Sequence, residues 1–412
     1  MIDQFQWNEV RGSRYRCGPI GPHLDGFAAL LSQQGYSKQV GMQKIRVASL
    51  LSRWLARGRL GIRQLDEQRI ADFSTTERRV LRRQRQVQHT LNQLLQYFRR
   101  SKIIPEPRLP RVEKLSDLLM LDYQRFLIQE RGLSQATLNN YLPVARRVLA
   151  KASGGNRLGV SKLTAKDIQR FILRESSKFS PKCLQLMASA LRSFLGFLHL
   201  RGQIALPLGA SIPSVAAWRL SELPKCLEAE QVRRLVKSCA RNSPCGRRDF
   251  AAVLLLARLG LRAGELVHLS LEDIDWSAGT VLIRGKSSRE ERLPLPPDVG
   301  RALASYLKNG RPRCSSRCVF IRMKAPHVGF SSSVAICNIV RRALIRTGLE
   351  PEHKGAHLLR HSLAVQMLRG GASLTQIGQI LRHQLPQTTE IYAKVDLTAL
   401  RAIAQPWPGG AR

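Results

Sequence analysis

The sequence predicts a mainly α-helical protein with one small antiparallel sheet toward its C-terminal end. Its N-terminal half is all helical, built as two tandem bundles. Three observations predict this. Apolar residues recur at helical spacing through most of the 412 residues. One helical pattern occurs twice before residue 206. Two short strand-like segments, Thr280–Arg284 and Glu291–Leu295, flank the turn Gly285-Lys286-Ser287-Ser288-Arg289 as a hairpin.

The repeat comes first in chain order. Leu65–Phe73 (LDEQRIADF) matches Leu163–Phe171 (LTAKDIQRF) at an offset of 98. Both read as a capped start followed by a short amphipathic helix. Upstream, Gly35-Tyr36-Ser37 matches Gly132-Leu133-Ser134, and Val47-Ala48 matches Val144-Ala145, both at an offset of 97. Downstream, Leu91, Leu94, Leu95 and Phe98 match Leu191, Phe194, Leu195 and Leu198 at an offset of 100. A slow drift in offset is what short loop insertions produce, so each copy is expected to be a bundle of about four helices. The last helix of the first copy is expected to carry Arg78, Arg79, Arg82, Arg83 and Arg85 beside an apolar stripe of Val80, Val87, Leu91 and Leu94. A one-signed run usually means a solvated face. In a basic chain it equally suits a face that tracks phosphates.

Prolines punctuate the chain at Ile104–Val112 and from Leu206 to about Pro224. Such stretches make poor element interiors and good linkers. They divide the chain into three expected domains, 1–110, 111–210 and 211–412.

The third segment opens with expected helices at Glu228–Cys239 and Arg247–Leu259, then the hairpin. Helices follow at about Val299–Leu307, Ser331–Thr347, His357–Leu368 and Leu374–Leu381. Gly279–Ser287 superficially resembles a phosphate-binding loop. It has five residues between its glycines where that loop needs four, and its lysine lies on a hairpin rather than at a helix start, so nucleotide binding is rejected.

Charge narrows the partners. Lys and Arg total 67 against 29 acids, a formal charge of +38. Self-repulsion on that scale suits a chain whose partner is a polyanion, and nucleic acid is the natural candidate. The N-terminus lacks the apolar run of an export signal. Ala251–Leu261 is too short for a membrane span and is broken by Arg258. The eight scattered cysteines fit a reducing cytosol, and the lone Cys314-x3-Cys318 lacks the second pair that a zinc site needs.

The residues that suggest chemistry are far apart. Arg262 lies in LGLRAGEL, Lys286 at the hairpin, His357 and Arg360 in HLLRHS, and His383 and Tyr392 in LRHQLPQTTEIY. Each alone is unremarkable: an arginine after a buried helix is ordinary, and a tyrosine beside an isoleucine is usually half core. Together, in this order, they resemble the tyrosine recombinase (phage integrase) family. The resemblance covers 224–412 and extends more weakly to 115–205, which is similar to the family's helical core-binding domain. Arg262 matches the family's first-box arginine, with Glu265 at the acidic position that follows. Lys286 matches the hairpin lysine, and His357, Arg360 and His361 match H-x-x-R-H. His383, Thr388, Thr389 and Tyr392 match the third box. One departure is Arg382, where the family usually has Gly; a phosphate contact is one role for it. The bundle at 20–104 is extra relative to the simplest members.

The resemblance implies a site-specific DNA recombinase that cuts and rejoins DNA through a 3′-phosphotyrosine on Tyr392 and a Holliday junction. Arg262, Arg360 and His383 would stabilise the phosphate, His357 would take the tyrosine proton, and Lys286 would protonate the leaving 5′-oxygen. Glu265 and His361 would orient these groups. It implies no metal, no ATP and no other cofactor. The expected partners are double-stranded DNA with short inverted-repeat sites and further copies of the chain, four per synapse, or related recombinases, in the bacterial or archaeal cytoplasm. The residues Leu397, Leu400, Ile403 and Ala404 after Tyr392 form one apolar face suited to a neighbouring protomer or to packing in cis. DNA contacts are also expected from Arg78, Arg79, Arg82 and Arg83. Integration, excision or transposition of a mobile element is the expected role, with chromosome- or plasmid-dimer resolution the alternative. A metal-dependent transposase would need converging carboxylates, and only Glu272, Asp273 and Asp275 cluster. A type IB topoisomerase would lack the duplicated bundles. A non-catalytic DNA-binding protein would fit the charge but leave the site residues unexplained.

Overall fold

The computed structural model describes residues 15–82, 86–106, 115–152, 159–215, 223–285, 289–395 and 400–401. Arg83, Arg85, Lys286, Leu397, Ile403, Ala404 and the prolines at 107 and 110 lie outside them. The chain forms two compact units: Met1–Glu106 with Glu222–Arg412, and Pro107–Ser221.

The first part of the larger unit is a helical bundle: α1 (Leu24–Gln33), α2 (Lys38–Arg57), α3 (Glu67–Thr76), the single turn α4 (Arg78–Leu81) and α5 (Val87–Arg100). Asp66 starts α3 by accepting from the Arg69 amide at 2.8 Å. The arginine run departs from expectation. Rather than sharing one helix with Leu91 and Leu94, Arg78, Arg79 and Arg82 lie before a break, because Gln86 is left-handed (φ +56°) and separates α4 from α5. Successive like charges one turn apart repel along a helix, which favours such a break. Val80 is exposed, and the core position is filled by Leu81.

The smaller unit repeats the pattern. It contains α6 (Leu115–Arg125), continued by a π-helical turn at Phe126–Glu130, then α7 (Gln135–Ala152), α8 (Ala165–Ser176) and α9 (Pro181–Leu200). Thr164 and Asp167 close a capping box at the start of α8, and Ser180 with Pro181 starts α9. The matched pairs Val47 and Val144, Ala48 and Ala145, Ile70 and Ile168, Phe73 and Phe171, Leu91 and Leu191, Leu94 and Phe194, Leu95 and Leu195, and Phe98 and Leu198 are buried in both bundles, while Leu133 and Leu163 are half-buried against buried Tyr36 and Leu65. Gly35 and Gly132 are both left-handed, at φ +79° and +58°, where a side chain would strain the turn. The proline-bearing stretch from Leu206 is not free at its start. Leu208 and Ile212 are buried in this bundle, and Arg192 Nη2 donates to the Ile212 carbonyl at 3.0 Å.

The second part of the larger unit holds α10 (Ala229–Lys237), α11 (Pro244–Leu259), α12 (Ala263–His268), α13 (Pro297–Asn309), α14 (Val334–Thr347), α15 (Ala356–Arg369) and α16 (Leu374–Ile380). Its sheet is β1 (Ile274–Asp275), β2 (Thr280–Arg284) and β3 (Glu290–Pro294), antiparallel in that order, with Val281 facing both Ile274 and Leu293. The segment around Asp275 is a strand as well as a turn: Asp275 Oδ1 accepts the amides of Ser277 and Ala278 at 3.1 and 2.9 Å. Helix α11 is the hub. Ala251 through Leu256 are all buried, so it must be covered on every side, and α10, α13, α14 and α15 cover it. Burying each leucine stabilises the fold by about 2 kcal/mol.

Candidate active site

The site forms where three element ends meet. Helix α11 ends at Gly260 (φ +58°), where an added Cβ would lie 2.6 Å from Leu381 Cδ2. That close approach brings the α11–α12 junction against the end of α16. Arg262 is the N-cap of α12: its amide donates to Glu265 Oε2 at 2.8 Å and its Nη1 to Glu265 Oε1 at 3.0 Å. Arg360, on the second turn of α15, is buried. Its Nη1 donates to the Gly260 carbonyl at 2.6 Å and its Nη2 to the Leu381 carbonyl. Arg360 therefore ties both chain ends together.

Arg382 takes the left-handed conformation that ends α16 (φ +57°), where glycine would be unstrained. Its side chain is only 5% exposed and its Nη2 donates to Glu265 Oε2 at 2.9 Å. Three guanidiniums, those of Arg262, Arg360 and Arg382, thus gather about one carboxylate. The electrostatics follow. Burial first, then Arg262 and Arg382, push Arg360 down to about 10. Burial first, then Arg360 and Arg262, hold His383 down to about 4. His383 Nδ1 is 2.7 Å from Thr389 Oγ1, which fixes the ring.

Tyr392 lies in the 3-10 turn Glu390–Val395 and is 1% exposed. Its hydroxyl shares a 2.9 Å hydrogen bond with His361 Nδ1. Burial raises its pKa to about 12, opposed by the nearby Arg360 charge. Burial, then His357 and Arg360, lower His361 to about 4, so that ring is neutral at pH 7. His357 sits one turn earlier on α15, exposed, its ring centroid 6.3 Å from that of His361. Beside these groups is a cavity of about 620 Å³ lined by Arg262, Glu265, Arg382 and His383, and by Gly285 and Arg289 on the flanks of the hairpin loop. Lys286 itself lies outside the described residues.

The structure thus brings together Arg262, Glu265, Arg360, His361, His383 and Tyr392. Two of its contacts had no sequence signal, the Arg382–Glu265 ion pair and the Thr389–His383 hydrogen bond, because both depend on a backbone reversal between α16 and the tyrosine. Arg78, Arg79 and Arg82 are exposed on the first bundle. The acidic cluster does not converge: Glu272 pairs with Arg317, Asp273 with Arg284, and Asp275 holds its turn.

The profile of the phage integrase family matches residues 225–398, and that of the phage integrase N-terminal SAM-like domain matches 121–202. A Sinorhizobium fredii protein named as an integrase/recombinase, y4rA, is 41% identical over 396 residues, 96% of each chain. Tyrosine recombinase XerC of Salmonella typhi is 30% identical over 297 residues, 69% of this chain and 94% of that one. The fold is shared with the XerH site-specific recombinase bound to a palindromic difH substrate (TM-score 0.53, 19% identity, 72% of this chain and 98% of that one). It is shared as well with a lambda integrase dimer bound to a COC′ core site (TM-score 0.51, 18% identity, 70% and 96%). Fold and relatives together define the class, site-specific DNA recombinases. The chain belongs to the tyrosine recombinase (phage integrase) family.

Proposed function

We propose that this chain cleaves and rejoins DNA by attack of Tyr392 Oη on a backbone phosphorus, with release of a 5′-hydroxyl and formation of a 3′-phosphotyrosine. The observation that carries this is the tyrosine hydroxyl bonded to His361 within a site that Arg360 enters from the same helix. An in-line displacement at phosphorus needs charge stabilised on the nonbridging oxygens. Arg262 and Arg360 stay protonated and donate in a fork. When Thr389 donates to His383 Nδ1, His383 Nε2 carries a hydrogen and is a third donor. Loss of one such donor raises a barrier by about 3–4 kcal/mol. Tyr392 needs a proton acceptor. In the closed geometry the proton stays on Tyr392 Oη, which shares a hydrogen bond with His361 Nδ1, and His357, exposed on the same helix, takes it when the turn Glu390–Val395 opens, as it must for a buried phenol to reach DNA. Lys286 returns a proton to the leaving oxygen. The ester keeps the bond energy, so religation needs neither metal nor ATP.

The finer reading is movement of a mobile element, acting on inverted-repeat sites in a four-protomer synapse in the cytoplasm. The solved lambda integrase tetramer bound to a Holliday junction supports such an assembly. The bundles at 1–110 and 111–210 serve as DNA-binding domains for the segment at 211–412. Nicked duplexes taken from the DNA flanking the gene test the chemistry. A covalent adduct should form in EDTA and vanish in Tyr392→Phe, with DNA affinity unchanged because no charge is lost. An adduct in Tyr392→Phe, or cleavage abolished by EDTA, would falsify the assignment.

A further inference from the structure

The first bundle buries a lysine that has no counter-ion among the described residues. Lys44, on α2, is 2% exposed. Its ammonium donates to Thr90 Oγ1 at 3.3 Å and to Gln93 Oε1 at 2.9 Å, and lies 4.7 Å from the centre of the Tyr36 ring. All three partners are neutral, and no carboxylate pairs with it among the described residues. Burial alone pushes its pKa down to about 8. An unpaired buried charge is costly and persists where something repays it.

Lys44 forms part of the wall of a cavity of about 520 Å³ whose lining grades inward. Gln39 and Gln86 are exposed, Gln43 is half-buried, and Lys44 and Thr90 are buried. These residues come from the first two turns of α2 and from the N-cap and first turn of α5. Neither helix has a side-chain cap at its N-terminus, and neither carries an acid in its first turn. Asp66, Thr164 with Asp167, and Ser243 cap α3, α8 and α11, whereas α14 and α15 start uncapped and without acids as α2 and α5 do, so it is their place beside Lys44 that sets these two starts apart. Two uncapped helix starts add partial positive charge to that of the amine. The lining supplies amide and hydroxyl donors and no negative group. Arg78, Arg79 and Arg82 are exposed on the same bundle.

We propose that this cavity is a phosphate-binding subsite of the extra N-terminal bundle, in which Lys44 and the starts of α2 and α5 hold one phosphodiester of the DNA backbone. The assignment rests on the chain acting on DNA and is independent of the chemistry at Tyr392. A phosphate supplies the charge that Lys44 lacks, so the folded bundle holds the amine ready for it.

The test measures binding of the full chain to a labelled mixed-sequence duplex across a salt series. Lys44→Gln should weaken binding by about tenfold and reduce the slope of log K against log salt by about 0.9. Gln43→Glu keeps the lysine and puts a carboxylate in the cavity. It should weaken binding while keeping or raising Tm, so affinity and stability move apart. Unchanged affinity in Gln43→Glu overturns the proposal even where Lys44→Gln fails to fold. Unchanged affinity with lowered Tm in Lys44→Gln means a structural lysine and also overturns it. Inorganic phosphate at matched ionic strength separates the two phosphate sources. A Tm gain that depends on Lys44, with DNA affinity independent of it, marks a free-ion site and overturns the DNA assignment. Adduct formation by the unaltered chain on nicked DNA reads the Tyr392 chemistry separately, so its failure is distinguishable from failure of the cavity assignment.

Discussion

At the residue scale, the site is governed by positive charge held out of water. His361 and His383 are both held to about 4, chiefly by burial and then by the surrounding cations. In the unfolded chain they take protons near the ordinary value of about 6.5. The folded state therefore binds fewer protons between those values. Stability is full above about pH 6.5 and falls as pH drops toward 4. Melting temperature should decline already between about pH 6.5 and 5, above the carboxylate range, and His361→Gln should flatten that decline. An unchanged decline in the variant would show that the titration belongs elsewhere. Arg382 gives a second residue-scale test. Its left-handed backbone costs about 1 kcal/mol for any residue with a Cβ, while its guanidinium is paired with Glu265. Arg382→Gly and Arg382→Ala both lose that pair, but only the glycine also relieves the backbone. The glycine variant should be the more stable by about 1 kcal/mol in urea unfolding. An alanine variant of equal stability would remove the strain argument.

At the element scale, the start of α11 carries a buried ion pair unrelated to the chemistry. Arg248 donates to Asp249 Oδ1 through Nε at 2.9 Å and Nη2 at 2.6 Å, and Arg342 of α14 reaches Asp249 Oδ2 at 3.4 Å. Asp249→Ala would leave Arg248 charged and buried, at a cost of about 3–5 kcal/mol. Chemical denaturation should show that loss, and Asp249→Asn, which keeps an acceptor, should lose less. A cost under 1 kcal/mol would mean that water reaches Arg248. Elements of this kind were legible in sequence where periodicity was strong. Strand β2 occupies Thr280–Arg284 as its alternation predicts, and α15 and α16 fall within a residue or two of their expected ends. The break at Gln86 was not legible, since a left-handed glutamine has no compositional mark. Nor was the two-residue strand Ile274–Asp275, which is too short to alternate. The family resemblance named Arg262, Glu265, Arg360, His361, His383 and Tyr392 as one set, and these are the residues that the fold gathers. Their contacts were not legible, because His361 reaches Tyr392, and Arg382 reaches Glu265, only after α11, α15 and α16 have packed.

At the scale of the whole molecule, the +38 charge is the largest fact about how the chain assembles. At about two phosphates per base pair, +38 matches about 19 base pairs of duplex. Free copies at that charge repel one another, and the repulsion is screened only beyond about 8 Å at physiological salt. A duplex removes the obstacle by placing a negative rod between them. Association should therefore be DNA-driven. In sedimentation at physiological salt the free chain should run as a monomer, a duplex bearing two inverted half-sites should collect two copies, and a four-way junction should collect four. Raising the salt should dissolve these complexes steeply, since each phosphate contact adds about 0.9 to the slope of log K against log salt. A chain that already sediments as a tetramer without DNA at that salt would show protein contacts strong enough to overcome the charge. The synapse would then be built before DNA is bound.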